Sequence, residues 1–398
     1  MLDIWPELPI YICAFDCEMK ETRDNVVAAL RLNHRVSGIH FNTLPDLTWE
    51  TFAPLMQQPF PALTHLWVRP NFPNHVISCS FLGGSAPCLR ILRLFLISFP
   101  ALPNLLLSAT DLVCLSYDDI PSRGYIPPQE MVTGLSVLTR LESLSLTFRH
   151  ESLPYRAIRT SPPHARTLLP ALTDLHFQGV PEYMEDIVAQ IDAPLLEAIE
   201  FTLSHQEVLE VSELSKFVHR ADKLSIINRA EVVISSCRIS VTLSQELLEG
   251  RVDPKTLSLF LDCPQPDLRL SYLAQFCATC LPTLSPFESL HIGVSYFYRR
   301  ENVVDDPDRQ WLGLLCLFNT VQRLYLSKHV APRVVQALRG LPAERVMEVL
   351  PALETVSISN LEPSGHVKEG ISEFADARRL SGHLVFISDW DGRDYFWG

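Results

Sequence analysis

Glycine is scarce in this chain of 398 residues, occurring 15 times, about half the usual ~7%. Neither a GxxxxGK[ST] phosphate loop nor a GxSxG nucleophile elbow is present, so phosphate cradling and acyl transfer have no motif to rest on. Clusters of Lys and Arg are also lacking. The formal charge of −13 opposes a general attraction to nucleic acid or anionic lipid, so neither is expected as a partner. Asp3, Glu7, Asp16 and Glu18 precede Lys20, a start unlike a secretory leader, and the expected location is cytoplasmic or nuclear. The longest uncharged stretch, Leu94 to Thr110, carries Pro100, Pro103 and Asn104 and falls short of a membrane span. Ten cysteines show no disulfide framework and are expected as free thiols.

What the chain does have is apolar content, at 47%, and 30 prolines. An apolar residue followed by Pro-Ala-Leu recurs at Phe60–Leu63, Phe99–Leu102, Leu169–Leu172 and Leu350–Leu353, with variants at Ala86–Leu89 and Ala193–Leu196. Proline cannot donate to a strand ladder, so it belongs in the loop just before a strand. A second pattern follows: apolar, two variable, apolar, one variable, apolar. It is seen at Leu63-Leu66-Val68, Leu89-Leu92-Leu94, Leu112-Leu115-Tyr117, Leu141-Leu144-Leu146, Leu172-Leu175-Phe177 and Leu196-Ile199-Phe201. It resumes at Phe287-Leu290-Ile292, Val321-Leu324-Leu326 and Leu353-Val356-Ile358, and Ala221-Leu224-Ile226 reads as a weaker copy. The last two apolar positions alternate as a strand does, with one face inward.

Between the strands the apolar period becomes helical, as at Tyr183, Met184, Ile187, Val188 and Ile191, at Trp311, Leu314, Leu315 and Phe318, and at Val334, Val335, Leu338 and Leu341. The intervals overlap the ~20–29 residues of leucine-rich repeats, with some longer units. The expected fold is therefore α/β: a leucine-rich-repeat solenoid, a horseshoe with parallel strands on the concave face and helices on the convex one. Only Asn71 matches the polar residue that usually follows the strand, and the motif lapses between Ile226 and Phe287, where a distortion or hairpin is expected.

No residue set commands a catalytic, cofactor or metal role. Cys277 and Cys280 form a CxxC without a second pair, on an apolar helical face, and Cys13 and Cys17 lack a histidine cluster. Asp305, Asp306 and Asp308, and likewise Asp389, Asp391 and Asp394, miss the glycine and distal glutamate of a calcium loop. Tyr395, Phe396 and Trp397 are expected to pack on the last repeat.

If the strand apolar residues face the core, the alternate ones line the concave surface. His65, Trp67, Arg69, Arg93, Phe95, Asp174, His176, Gln178, Glu200 and Tyr325 then become candidates for holding a protein partner. Trp, Tyr and Arg predominate in binding hot spots because they join large contact area to polar reach. Trp67, at a variable position, is the most informative of them.

Several strings go beyond leucine spacing: Pro59–Thr64, Phe81–Pro87, Leu106–Leu112, Leu138–Leu144, Ile191–Leu195 and Leu380–His383. In these the chain resembles the F-box/leucine-rich-repeat proteins of mushroom-forming fungi, over most of its length. That resemblance implies a ubiquitin-ligase adaptor whose repeats select the protein to be modified and whose N-terminal F-box holds the cullin adaptor. Met1–Leu44 offers Leu8-Pro9 and one helix around Asp24–Leu32, but not the F-box's leucine-proline helix and cysteine-and-tryptophan segment. Either an F-box is encoded upstream, or the chain is a repeat-only relative that binds without a ligase. The expected organisation is a helical cap or remnant over 1–44, repeats over 45–226, irregular repeats or a hairpin over 227–286, and C-terminal repeats with a cap over 287–398.

Overall fold

The computed structural model describes residues 8–15, 19–73, 75–149, 166–204, 211–221, 223–224, 227–246, 252–263, 266–280, 286–295, 308–339 and 341–390. The chain divides into two compact units, Met1–Leu196 and Glu197–Gly398. Among the described residues no helix is long and apolar enough to cross a membrane.

Proline presets φ for the second position of a turn, and the tetrads form such turns. The Leu63 N–H donates to the Phe60 carbonyl at 3.1 Å, Leu172 to Leu169 at 3.3 Å and Leu353 to Leu350 at 3.0 Å. The next residue then reaches back one repeat. Thr64 donates to Ser37 at 2.9 Å, Arg90 to Thr64 at 2.8 Å, Val113 to Arg90 at 2.8 Å, Glu142 to Val113 at 2.8 Å and Thr173 to Glu142 at 2.9 Å. One turn and one inter-repeat bond thus fix where each strand starts.

In the first unit these starts generate β1 (Ile10–Phe15), β2 (Val36–Leu44), β3 (His65–Pro70), β4 (Ile91–Phe95), β5 (Cys114–Ile120) and β6 (Ser143–Phe148). β7 (Thr167–Leu168) stands apart, while β8 (Asp174–Gly179) continues the sheet and β9 (Ile191–Asp192) pairs with β7. The sheet runs β1-β2-β3-β4-β5-β6-β8, and every pairing is parallel. In-register apolar positions form a continuous core, with Ile39, Leu66, Leu92, Leu115 and Leu144 on one rung, all essentially inaccessible. Two residues past the last strand apolar, Thr43, Leu96 and Asp119 have φ of 53°, 54° and 51°. This left-handed step is costly for residues other than Gly, Asn and Asp; at Thr43 and Asp119 it coincides with a shift of register, after which Leu44 and Ile120 pair again, and at Leu96 it follows the end of β4.

The helices are α1 (Lys20–Leu30), α2 (Asp46–Phe52), α3 (Leu102–Leu106), α4 (Pro128–Leu135) and α5 (Pro181–Gln190). Proline in the first turn of α3, α4 and α5 sits where no donor is needed. α3 packs on α4 and α4 on α5. Gly134 permits the first approach, because a Cβ there would lie 2.9 Å from the Pro103 Cα.

In the second unit, β10 (Ala198–Ser204) leads through α6 (Ser212–His219) to β11 (Arg229–Ile234), β12 (Arg238–Glu246) and β13 (Val252–Asp262). After α7 (Pro266–Cys280) come β14 (Ser289–Val294), α8 (Asp308–Leu315), β15 (Arg323–Leu326), α9 (Ala331–Arg339), β16 (Thr355–Ser359), α10 (His366–Leu380) and β17 (Phe386–Trp390). The strand order is β10-β13-β12-β11-β14-β15-β16-β17, with β11–β12 and β12–β13 antiparallel and the other pairings parallel. The antiparallel strands fall in the stretch where the motif lapses. A short Ser235–Arg238 turn joins β11 to β12, and Arg269 of α7 clamps it by donating to the carbonyls of Ser235 (2.9 Å), Ser236 (2.5 Å) and Cys263 (3.0 Å). The inter-repeat bond returns as Glu288 to Asn228, Gln322 to Glu288, Glu354 to Gln322 and Phe386 to Glu354.

Three expectations need correction. Within 1–44, expected as a helical cap or remnant, Ile10–Phe15 and Val36–Leu44 instead pair into the sheet as β1 and β2, and Val36-Ile39-Phe41 is a full copy of the strand motif that lacks a leading proline. The weak copy Ala221-Leu224-Ile226 ends outside the described residues, and the strand there begins later, with Ile227-Ala230-Val232 in the motif positions. The tetrad Phe99–Leu102 forms the expected turn but opens α3 instead of a strand.

Candidate functional site

Because alternate strand residues point to opposite faces, the residues between the buried leucines share the face turned away from the core. On β1 to β4 that face carries a row of rings. Phe15 lies 5.1 Å from His40, His40 stacks on Trp67 at 4.4 Å and 15°, and Trp67 stacks on Phe95 at 5.7 Å and 24°. The Arg93 guanidinium sits over the Trp67 ring at 5.3 Å, and that of Arg69 over Phe95 at 5.8 Å. His40 pairs with Trp67, and Trp67 with Arg93, in the strand register, so the backbone sets this row and successive rings follow the spacing of strands. Burial pulls the His40 pKa below its ordinary value, keeping the imidazole neutral within the stack. Four buried polar atoms here lack a hydrogen-bond partner among the described residues: His40 Nε2, Asn42 Oδ1, Trp67 Nε1 and Arg93 Nε.

On β5 to β8 the same face turns polar. Asp118 accepts from Ser116 and, at 2.6 Å, from Ser145, whose oxygen lies 3.4 Å from His176 Nδ1. Although Ser, His and Asp meet here, the serine proton is committed to the carboxylate, the reverse of the order in which an imidazole activates a nucleophile. Asp174 is exposed and accepts from Thr173 at 2.6 Å, and Gln178 pairs with Thr147.

The structure therefore brings Trp67, Arg69, Arg93 and Phe95 together, with His65 on the same strand, and sets Asp174, His176 and Gln178 on β8. Glu200 and Tyr325 belong to the second unit, Glu200 exposed on β10. Tyr325 stacks on His291 at 4.2 Å and 8°, and Trp390 meets both edge-on at 5.9 and 5.3 Å. His291 is buried, and its pKa is driven down to about 2 by desolvation first, then by the charges of Arg229 and Arg323. Arg229 donates to Glu231 at 2.9 Å, yet burial still lifts the Glu231 carboxyl above its ordinary pKa.

Sequence reasoning missed His40, Phe15, His291, Arg229 and Trp390. The signal for two of them was present: His40 in Ile39-His40-Phe41 and His291 in Leu290-His291-Ile292 occupy the offset that singles out Trp67 and Tyr325. Cys277 is buried on α7, while the side chains of Cys280 and Asp308, and residues Cys17, Asp305, Asp306, Asp391, Asp394 and Tyr395–Trp397, lie outside the described residues. Asp389 accepts from the backbone N–H groups of Leu361 (3.0 Å) and Trp390 (2.9 Å). No group of three His, Cys, Asp or Glu side chains among the described residues could hold a metal ion.

Parallel strands, several of them begun by a proline-led turn, stepped by one inter-repeat bond and mostly alternating with helices define an α/β fold of the leucine-rich-repeat, solenoid-like kind. No family model matches the chain, and no curated protein does. Among solved structures, the leucine-rich-repeat-containing protein LegL7 from Legionella pneumophila is similar over 93% of this chain and 98% of its own, at 11% identity and a TM-score of 0.32. A likeness at that level adds nothing to the repeat ladder seen directly in the strand pairing.

Proposed function

We propose that the chain is a protein-binding module whose strands line the concave side of a horseshoe, and that it binds a partner there without catalysing a reaction. The observation that carries this reading is the row Phe15–His40–Trp67–Phe95 with its two overlying arginines. Aromatic and arginine side chains gathered on one face of a sheet are the composition of an interface hot spot. In the reading drawn from the resemblance to fungal F-box proteins, the module selects substrates for a cullin ubiquitin ligase in the cytoplasm or nucleus. Recovery of the tagged full-length chain from its source cells tests this. Where an F-box is encoded upstream, cullin and its adaptor should co-purify with the wild type expressed from that complete reading frame, and the substrate, but not the cullin, should be lost from Trp67→Ala.

A second reading is a ligase-independent interaction scaffold. It is favoured by the placement of Ile10–Phe15 and Val36–Leu44 as strands of the repeat sheet. Recovery of a Trp67-dependent partner without cullin would select it.

A further inference from the structure

The row on β1 to β4 has an electrostatic sign opposite to that of the chain. Arg69 and Arg93 lie over ring faces and make no ion pair among the described residues, in a protein of net charge −13. Beneath them, Trp67 Nε1 and Arg93 Nε are donors only, and neither finds an acceptor. Buried donors left unsatisfied destabilise the stack, so small side-chain rotations that offer them to an incoming acceptor are favoured. The cationic region is bounded. Phe95 pairs in register with Asp118, so the face changes sign from β4 to β5. Screening over roughly 8 Å at physiological salt lets the two arginines act on a ligand above them while the distant excess of carboxylates is damped.

Resting on the protein-binding reading, we propose that this surface receives an acidic segment of a protein partner. Carboxylates of the segment pair with Arg69 and Arg93 and accept from the Trp67 and Arg93 N–H groups. The ring edges of Phe15, Trp67 and Phe95 cover its aliphatic side chains. Asp118 repels a carboxylate displaced by one strand and so sets the position of the acidic residues.

The test is selection of a random 16-residue displayed peptide library on the full-length protein, keeping only peptides released by Trp67→Ala. Trp67→Phe serves as a variant that retains a ring. The selected peptides should be rich in Asp and Glu beside aliphatic residues. Changing their Glu to Gln, or using the Arg69→Gln/Arg93→Gln double variant, should weaken binding at least ~10-fold, and affinity should fall as salt rises. Trp67-dependent peptides without acidic enrichment, or unaffected by the double variant, would overturn the acidic preference and leave the protein-binding reading standing. A library that yields no Trp67-dependent peptide, or poly(U) RNA retained in a Trp67-dependent way, would overturn both.

Discussion

Arg378, fully buried on α10, donates to three successive carbonyls at the turn that opens β16: Val349 at 3.1 Å, Leu350 at 3.0 Å and Pro351 at 2.8 Å. Leu350 itself has φ of 48°, a strained conformation for a leucine, and the guanidinium holds its oxygen in place. Arg378→Met keeps an unbranched apolar stem but withdraws every donor, along with the guanidinium that lies over the Phe374 ring at 5.7 Å. Losing two charged bonds to buried acceptors and one to a half-buried one would alone cost about 4.5–9 kcal/mol, at roughly 1.5–3 each for a bond to a charged group. Removing a buried cation returns part of that, so a net loss of about 2–4 kcal/mol is expected. Arg378→Lys, one nitrogen facing three acceptors, should recover less than half. In a repeat stack such damage stays local, so the assay is hydrogen exchange at Val356 and Ile358 alongside a urea midpoint. Exchange there should accelerate about 30-fold or more, at tenfold per 1.4 kcal/mol. A change below ~0.5 kcal/mol with unaltered protection on β16 would refute the reasoning.

Two further outcomes are expected. Tyr117 accepts from the Phe99 N–H at 2.9 Å and donates to the Gly124 carbonyl at 3.2 Å in the core, where burial raises its pKa. Tyr117→Phe should therefore lower stability by about 1–2 kcal/mol, read from the urea midpoint. His291 titrates near 2 when folded and near 6.5 when unfolded, so below pH 6.5 the unfolded chain takes up a proton that the folded one refuses. Stability present above that pH should fall by roughly 1 kcal/mol per unit as pH drops, and His291→Gln should flatten the slope. Glu231, whose pKa burial raises, acts with the opposite sign, so the comparison of His291 with His291→Gln is made in a Glu231→Gln background.

Much of the repeat was legible because burial is periodic. Leu66, Leu92, Leu115 and Leu144 announce themselves by spacing, and all are core. The strands that escaped had weaker local marks. β2 starts after His34-Arg35 with no proline, and β11 follows Ile227 rather than a leucine, so what identifies them is hydrogen bonding to a strand distant in sequence. Antiparallel β12 belongs to no repeat, and its place depends on the Ser235–Arg238 turn and on Arg269, a residue whose burial no spacing rule marks. At the candidate site, Trp67 and Arg93 were readable from position alone. Their alignment with His40 and Phe15 depends on register across β1 to β4, which is a property of the assembled sheet.

The most direct measurement is a hydrogen-exchange and side-chain footprint of the full-length protein with a partner recovered from its source cells. Protection concentrated on β1 to β4, with Trp67, Arg69, Arg93 and Phe95 shielded from labelling, is the expected result. Protection confined to the helices, with those four side chains as reactive as in the unbound protein, would contradict the account.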